Sequence, residues 1–245
     1  MKDPLIRMEN IYKWFGKTYA LKDVNFKIDD GETVGLVGSN GAGKSTLVKI
    51  LSGNFPPDKG KIYFKGRRIE IRTPKDAINL GIETVHQDYS LIDERNVAQN
   101  LFLGREITKS VGPIKLLDME RMEAVAMEKT KELGLNIPSS DQEIRFFSGG
   151  EKQGIAIARV MYFKAKLVIL DEPTTALSIK GCRQVLKFVA QLKERGVASI
   201  FITHSINHVY PVADRFVVLS RGKVIKDIKK ESTSIEEIEE LLARS

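Results

Sequence analysis

A chain of 245 residues, 42% hydrophobic and 29% charged, can bury a sizeable core, which excludes intrinsic disorder and fibrous repeats. The formal charge of +7 favours anionic partners such as nucleotides, nucleic acids or lipid headgroups, and does not choose among them. No apolar run approaches the roughly 18 residues that a membrane span needs, and the amino terminus lacks the apolar stretch and cleavage site of a secretory signal, so the expected compartment is the cytoplasm. The length allows one large domain or a domain with an insertion, not two copies of a large module. The single cysteine, Cys182, has no partner for a disulfide and no neighbouring ligand at metal spacing, and reads as an incidental helix residue.

From Leu5 to Ile28 apolar and polar residues alternate around a break at Gly16 and Lys17, which predicts short antiparallel strands. The period then changes: Glu32 to Val37 reads as a strand, Gly38 to Gly43 as a glycine-rich turn, and Ser45 to Leu51 as a helix. Lys61 to Ile71 alternates like strands, and Ile82 to Val85 is a short β-like run leading to Gln87. From Asn96 to about Met161 a helical period dominates, with Met119, Met122, Val125, Ala126 and Leu133 on one side, which suggests an inserted helical subdomain. Beyond it, Leu167 to Leu170, Ser199 to Ile202 and Phe216 to Leu219 are buried-type strands separated by helical stretches, the alternation of a parallel sheet. Lys226 to Glu231 reads as a solvated strand end, and Ile235 to Leu242 as an acidic amphipathic helix. The expected class is α/β.

The chemistry is concentrated in two stretches. Gly38 to Thr46 reads GSNGAGKST, the phosphate-loop pattern set between a predicted strand and helix. Its residues Gly38, Ser39, Asn40, Gly41, Ala42, Gly43, Lys44, Ser45 and Thr46 are candidates to wrap phosphates with backbone N–H groups. Lys44 is placed to reach the β- and γ-phosphates and the Ser45 hydroxyl to ligate Mg²⁺. Lys166 to Asp171, KLVILD, is an apolar strand ending in an acid, with Glu172 next. Asp171 suits the Mg²⁺ shell and Glu172 a general base that polarises the attacking water, which implies hydrolysis and not mere nucleotide binding. A third stretch, FSGGEKQ from Phe147 to Gln153, has two readings by itself: a helix capped by Ser148, or a second phosphate surface made by Ser148, Gly149 and Gly150.

In order, GSNGAGKST, Gln87, FSGGEKQ, KLVILDE and His204 resemble the ATPase subunits of ATP-binding-cassette transporters over nearly the whole chain. The resemblance implies a P-loop NTPase core with a parallel sheet, an N-terminal antiparallel β subdomain and a helical subdomain inserted at about 90–162 of a single domain spanning 1–245. It implies that FSGGE is the signature loop, usually LSGGQ, and that Ser148, Gly149 and Gly150 close the ATP site of a partner subunit in a head-to-tail dimer. It also implies that Gln87 touches Mg²⁺ and senses the permease, that His204 contacts the γ-phosphate, and that Phe15 stacks on adenine. His86 and His208 match nothing. The family pattern is broken at Phe147, at Glu151 and at Ser178, where Thr175-Ala176-Leu177-Ser178 lacks the usual D-loop acid. The stretches EPTTALS and HSINHVYPVADRFVVLSRGKVI are similar to ATPases of ribose, xylose and fructose importers.

This resemblance implies a peripheral subunit on the inner face of the cell membrane. It would power a transmembrane permease, with the Tyr89 to Leu103 segment near the docking surface and an extracytoplasmic solute-binding protein as an indirect partner. A second copy or a related ATPase would complete the dimer. The rival is a soluble cassette ATPase acting on nucleic acid or ribosomes; dispersed basic residues, no long heptad run and no room for a second cassette speak against it, and no nucleic acid is expected. A P-loop kinase leaves FSGGEKQ and His204 without a role.

Overall fold

A computed structural model describes residues 3–85, 91–175 and 177–243, the side chain of Gln153 excepted. Two strands lead, β1 (Ile6–Phe15) and β2 (Thr18–Ile28), followed by β3 (Thr33–Gly38), α1 (Lys44–Leu51), β4 (Lys59–Phe64), β5 (Arg67–Ile69), α2 (Pro74–Asn79) and β6 (Ile82–Val85). Next come α3 (Val97–Leu101), β7 (Thr108–Val111), β8 (Ile114–Leu117), α4 (Met119–Glu132) and α5 (Gly149–Tyr162). The chain continues through β9 (Leu167–Asp171), α6 (Ile179–Glu194), β10 (Ala198–Thr203), α7 (Ile206–Val209), β11 (Arg215–Ser220), β12 (Lys223–Lys229) and α8 (Ile235–Ala243). The described residues fall into two compact units, one within Met1–Gln87, Ala165–Ala176 and Cys182–Ser245, the other within Asp88–Lys164 and Leu177–Gly181.

The first unit holds two sheets. The alternation in β1 buries Ile6, Met8 and Ile11 on one face, and the strand pairs antiparallel with both β2 and β4 in a four-stranded sheet of order β2-β1-β4-β5. The second sheet has six strands in the order β12-β11-β3-β10-β9-β6. Here β3, β6, β9, β10 and β11 run parallel, while β12 pairs antiparallel with β11. All residues of β3, β10 and β11 are buried, as expected of parallel strands covered on both faces. Gly35 in β3 is needed for that packing: a Cβ there would meet the Phe216 ring at 2.7 Å. Parallel pairing sets Val37 beside Thr203 and Asp171 beside Ile202, so the carboxyl ends of β3, β9 and β10 share one edge. Ligands of open α/β sheets bind at that edge.

Arg215 fastens this unit. Its guanidinium donates to Glu32 at 2.6 and 3.1 Å, to Asp227 at 2.7 and 2.8 Å, and to the Lys27 carbonyl at 2.7 Å, joining β11 to β12 and to the turn before β3. Burial works against its charge, but the hydrogen bonds to the two carboxylates outweigh it and hold its pKa above the usual arginine value.

The second unit packs α3, α4 and α5 around Phe102, Met122, Ala126, Ile144 and Ile155. The prediction of helix from Asn96 to Met161 needs correction at β7 and β8, an antiparallel hairpin in which every residue is exposed. Its strand-like alternation is short, and the surrounding helical period masks it. In the docking segment expected from Tyr89 to Leu103, the described residues hold the short helix α3, and Tyr89 and Ser90 lie outside the described residues. The expected architecture of parallel sheet, antiparallel β subdomain and helical subdomain is otherwise the one observed. An unforeseen helix, α2, begins at a capping box in which Thr73 accepts from the Asp76 N–H and Asp76 accepts from the Thr73 N–H, with Pro74 at the first helical position.

Candidate active site

The glycine-rich turn between β3 and α1 is shaped by its neighbours. A Cβ on Gly38 would meet the Leu219 carbonyl oxygen at 2.4 Å, and Gly43 caps α1 at φ +106°, where a Cβ would meet the Ala20 oxygen at 2.7 Å. These close approaches seat the turn against β11 and β2 and lead it into α1, whose first N–H groups have no intrahelical acceptor and carry the helix's positive partial charge. Lys44 is buried, and its Nζ donates to the Gly38 and Ser39 carbonyls at 2.6 and 3.0 Å. Burial lowers the Lys44 pKa, and the nearby Glu172 and Asp171 carboxylates oppose that shift.

A cleft of about 510 Å³ opens over this turn. Asn40, Gly41, Ala42, Gly43, Lys44, Ser45 and Thr46 line one wall, Asp171 and Glu172 another, and Phe15 and Tyr19 the mouth. Both aromatic rings are more than half exposed, and Phe15 is seated edge-on against Phe55 with ring centres 5.5 Å apart. Glu172 is held in the left-handed region at φ +51°, its N–H donating to the Ile202 carbonyl at 3.1 Å. Its carboxylate has two neighbours: the Thr175 hydroxyl donates to Oε2 at 3.1 Å, and His204 Nδ1 lies 3.1 Å from Oε1. Phosphate loop, paired acids and histidine thus meet at one sheet edge. A family model described as ABC transporter matches residues 21–175.

The chain belongs to the ABC transporter family. The xylose/arabinose import ATP-binding protein XylG of Sulfolobus acidocaldarius is 42% identical over 238 residues, covering 97% of this cassette and 93% of that protein. The fructose import ATP-binding protein FrcA of Rhizobium meliloti is 39% identical over 226 residues, covering 91% of the cassette and 87% of that protein. Against the ribose import ATP-binding protein RbsA of Bacillus subtilis, 35% identical, the match covers 95% of the cassette but only 46% of the relative. Among solved structures, an ABC-transporter ATP-binding cassette in its ADP conformation superposes with a TM-score of 0.79 at 26% identity, covering 99% of this cassette and 95% of that chain. A dimeric cassette in a post-hydrolysis state bound to ADP and Pi gives a TM-score of 0.76 at 26% identity, covering 93% of this cassette and all of that chain (100%).

Other residues singled out in the sequence lie elsewhere. Ser148, Gly149 and Gly150 open α5 in the helical unit, where Ser148 Oγ accepts from the Glu151 N–H at 3.4 Å and Glu151 Oε2 accepts from the Ser148 N–H at 2.8 Å. Glutamate at position 151 therefore completes a capping box, as glutamine would. Phe147 is buried in the core of the helical unit. Ser178, in place of the D-loop acid, accepts from the Gly181 N–H at 3.2 Å and caps the start of α6. Gln87, His86 and Ala176 are outside the described residues. His208 Nδ1 lies 3.0 Å from the buried Thr174 hydroxyl.

Sequence reasoning missed Thr175 as a partner of Glu172, and Tyr19 as a second aromatic at the cleft. The first was hidden because a three-residue separation brings side chains together here only through the left-handed turn at Glu172. The clustering of aromatics at Tyr12, Trp14, Phe15 and Tyr19 was the available signal for the second.

The cleft fits a nucleoside triphosphate. Glycines leave its floor open, since a Cβ on Gly41 would meet nothing within 4 Å, and a buried ammonium faces backbone carbonyls that phosphate oxygens can replace. Among the described residues no cluster of three or more His, Cys, Asp or Glu side chains could cage a metal, while the Ser45 hydroxyl and the Asp171 carboxylate are among the polar groups that line the cleft. Mg²⁺ bound together with substrate phosphates needs only such a sparse donor set.

Proposed function

We propose that this cassette hydrolyses ATP to drive import of a small solute, a monosaccharide, through a separate transmembrane permease, working from the cytoplasmic face of the membrane. The observation that carries the reading is Glu172, which follows the strand ending in Asp171, lines the Lys44 cleft and is bonded by both Thr175 and His204. Relatives named for xylose/arabinose and fructose import, matched over most of both chains, support the solute class.

In this reading Phe15 stacks on adenine, and the N–H groups from Gly38 to Thr46 receive the phosphates. Lys44 moves its donors from the Gly38 and Ser39 carbonyls to the β- and γ-phosphates. Ser45, Asp171 and Gln87 hold Mg²⁺, which neutralises phosphate charge when bound. Glu172 accepts the proton of the attacking water as its oxygen bonds to the γ-phosphorus and the bond to the bridging oxygen breaks, leaving ADP and phosphate. Thr175 and His204 fix the Glu172 carboxylate, and His204 reaches the γ-phosphate. Ser148, Gly149 and Gly150 of a second copy or a related subunit close the site. A solute-binding protein outside the cell supplies the permease.

The test uses the purified full chain. Glu172→Gln keeps the loop and Asp171 but removes the base, so with Mg-ATP it should accumulate as a dimer by light scattering. Adding Ser148→Arg should return it to monomer while mant-ATP binding persists. Equal mass for the two variants would overturn the shared site.

A further inference from the structure

A second cavity, of about 490 Å³, lies in the antiparallel subdomain and shares no lining residue with the nucleotide cleft. It opens beside β5, the edge strand of the four-stranded sheet, with Pro56 and Pro57 as one wall. Its floor is apolar: Ile62 and Ile71 are 3% and 1% exposed. Its rim is cationic. Lys61 and Arg68 line it, both exposed, and neither has an ion-pair partner among the described residues. The one acid of the rim, Glu70, already accepts from Arg72 Nε and Nη2 at 3.0 and 2.5 Å, so its charge is balanced locally. An apolar floor under two uncommitted cations matches a ligand with one anionic head, phosphate or carboxylate, on a compact apolar body.

The Pro56–Pro57 wall also leads to the nucleotide cleft. Lys13, buried, donates from Nζ to the Pro56 carbonyl at 2.9 Å and to Asp58 Oδ1 at 3.0 Å. The same Nζ lies 5.1 Å from the centre of the Phe55 ring and 5.7 Å from that of Phe15. Phe55 in turn meets Phe15 edge-on. One short segment thus walls the second cavity and supports the aromatic at the mouth of the first.

We propose that the cavity beside β5 binds a small organic anion, and that its occupancy strengthens nucleotide binding by holding Phe55 against Phe15. The coupling half rests on the assignment of the other cleft to ATP. By linkage, nucleotide strengthens anion binding by the same factor.

Phenyl phosphate is the probe, titrated into the ¹⁵N-labelled full chain with ADP present to block the phosphate loop. Saturable shifts are expected at the amides of Gly60, Ile69 and Ile71. Inorganic phosphate, lacking the apolar body, should bind at least about tenfold more weakly. Benzoate in a parallel titration separates a carboxylate head from a phosphate head. The double variant K61E/R68E should lose the shifts and keep its affinity for mant-ADP. Phenyl phosphate should tighten mant-ADP binding about fivefold in the unaltered chain and leave the variant unchanged. The proposal is overturned by absent shifts, by equal response to inorganic phosphate, by shifts that survive charge reversal, or by a mant-ADP affinity of the unaltered chain that phenyl phosphate leaves unchanged. If mant-ADP fails to bind without the probe, the ATP reading falls, and the shifts at Gly60, Ile69 and Ile71 still decide the second cavity.

Discussion

At the scale of single residues, three separate constraints act on Glu172, the proposed general base. Its backbone sits at φ +51°, Thr175 donates to one carboxylate oxygen, and His204 contacts the other. Removing the Thr175 hydroxyl with Thr175→Val frees one oxygen without touching the phosphate loop. A hydrogen bond to a charged group contributes about 1.5 kcal/mol, so kcat for ATP hydrolysis should fall about tenfold with mant-ATP affinity unchanged. Lys44→Ala should behave differently. It takes away the cation proposed to meet the phosphates, and both mant-ATP binding and hydrolysis should drop by about a hundredfold or more in equilibrium titration and phosphate-release assays. Lys44, Asp171 and Glu172 were legible in the sequence because a phosphate loop and an acid-ended apolar strand carry their own context. Thr175 was not, since nothing in EPTTALS announces the turn that folds it back.

At the scale of elements, much of the fold rests on backbone approach and on a few buried polar anchors. Gly38→Ala would drive a Cβ to within 2.4 Å of the Leu219 oxygen, and backbone in the middle of a sheet cannot yield. The variant should lose nucleotide binding even where circular dichroism shows it folded. Arg215→Ala leaves Glu32 and Asp227 without their cation and should cost about 3 kcal/mol of unfolding free energy, read from the midpoint of a urea titration. Glu151→Gln should leave thermal stability unchanged, because glutamine serves the same capping box, whereas Ser148→Ala should lower stability by about 1 kcal/mol. The parallel strands could be read ahead of the structure because each is a short apolar run. The β7–β8 hairpin could not, since its residues are exposed on both faces and leave no buried stripe to betray a period of two.

At the scale of the molecule, residues far apart in sequence converge because β3 lies between β11 and β10, with β9 next to β10. The order of motifs in the chain said that they belong together, but only the register of the sheet says how. Chelation should report on that convergence: with EDTA in excess, phosphate release should stop, because Ser45 is neutral and Asp171 anionic, so neither offsets the triphosphate charge that Mg²⁺ would neutralise, and readdition of Mg²⁺ should restore it.

The central position of β3 also has a consequence for how the protein is made. During synthesis β3 and its glycine turn leave the ribosome well before both neighbours of β3, β10 and β11, have been translated. A half-made chain therefore holds the phosphate loop but neither flank that fixes it, nor Glu172 or His204. A chain made only as far as α5 cannot burn fuel, and hydrolysis waits until β9, β10 and β11 have been added.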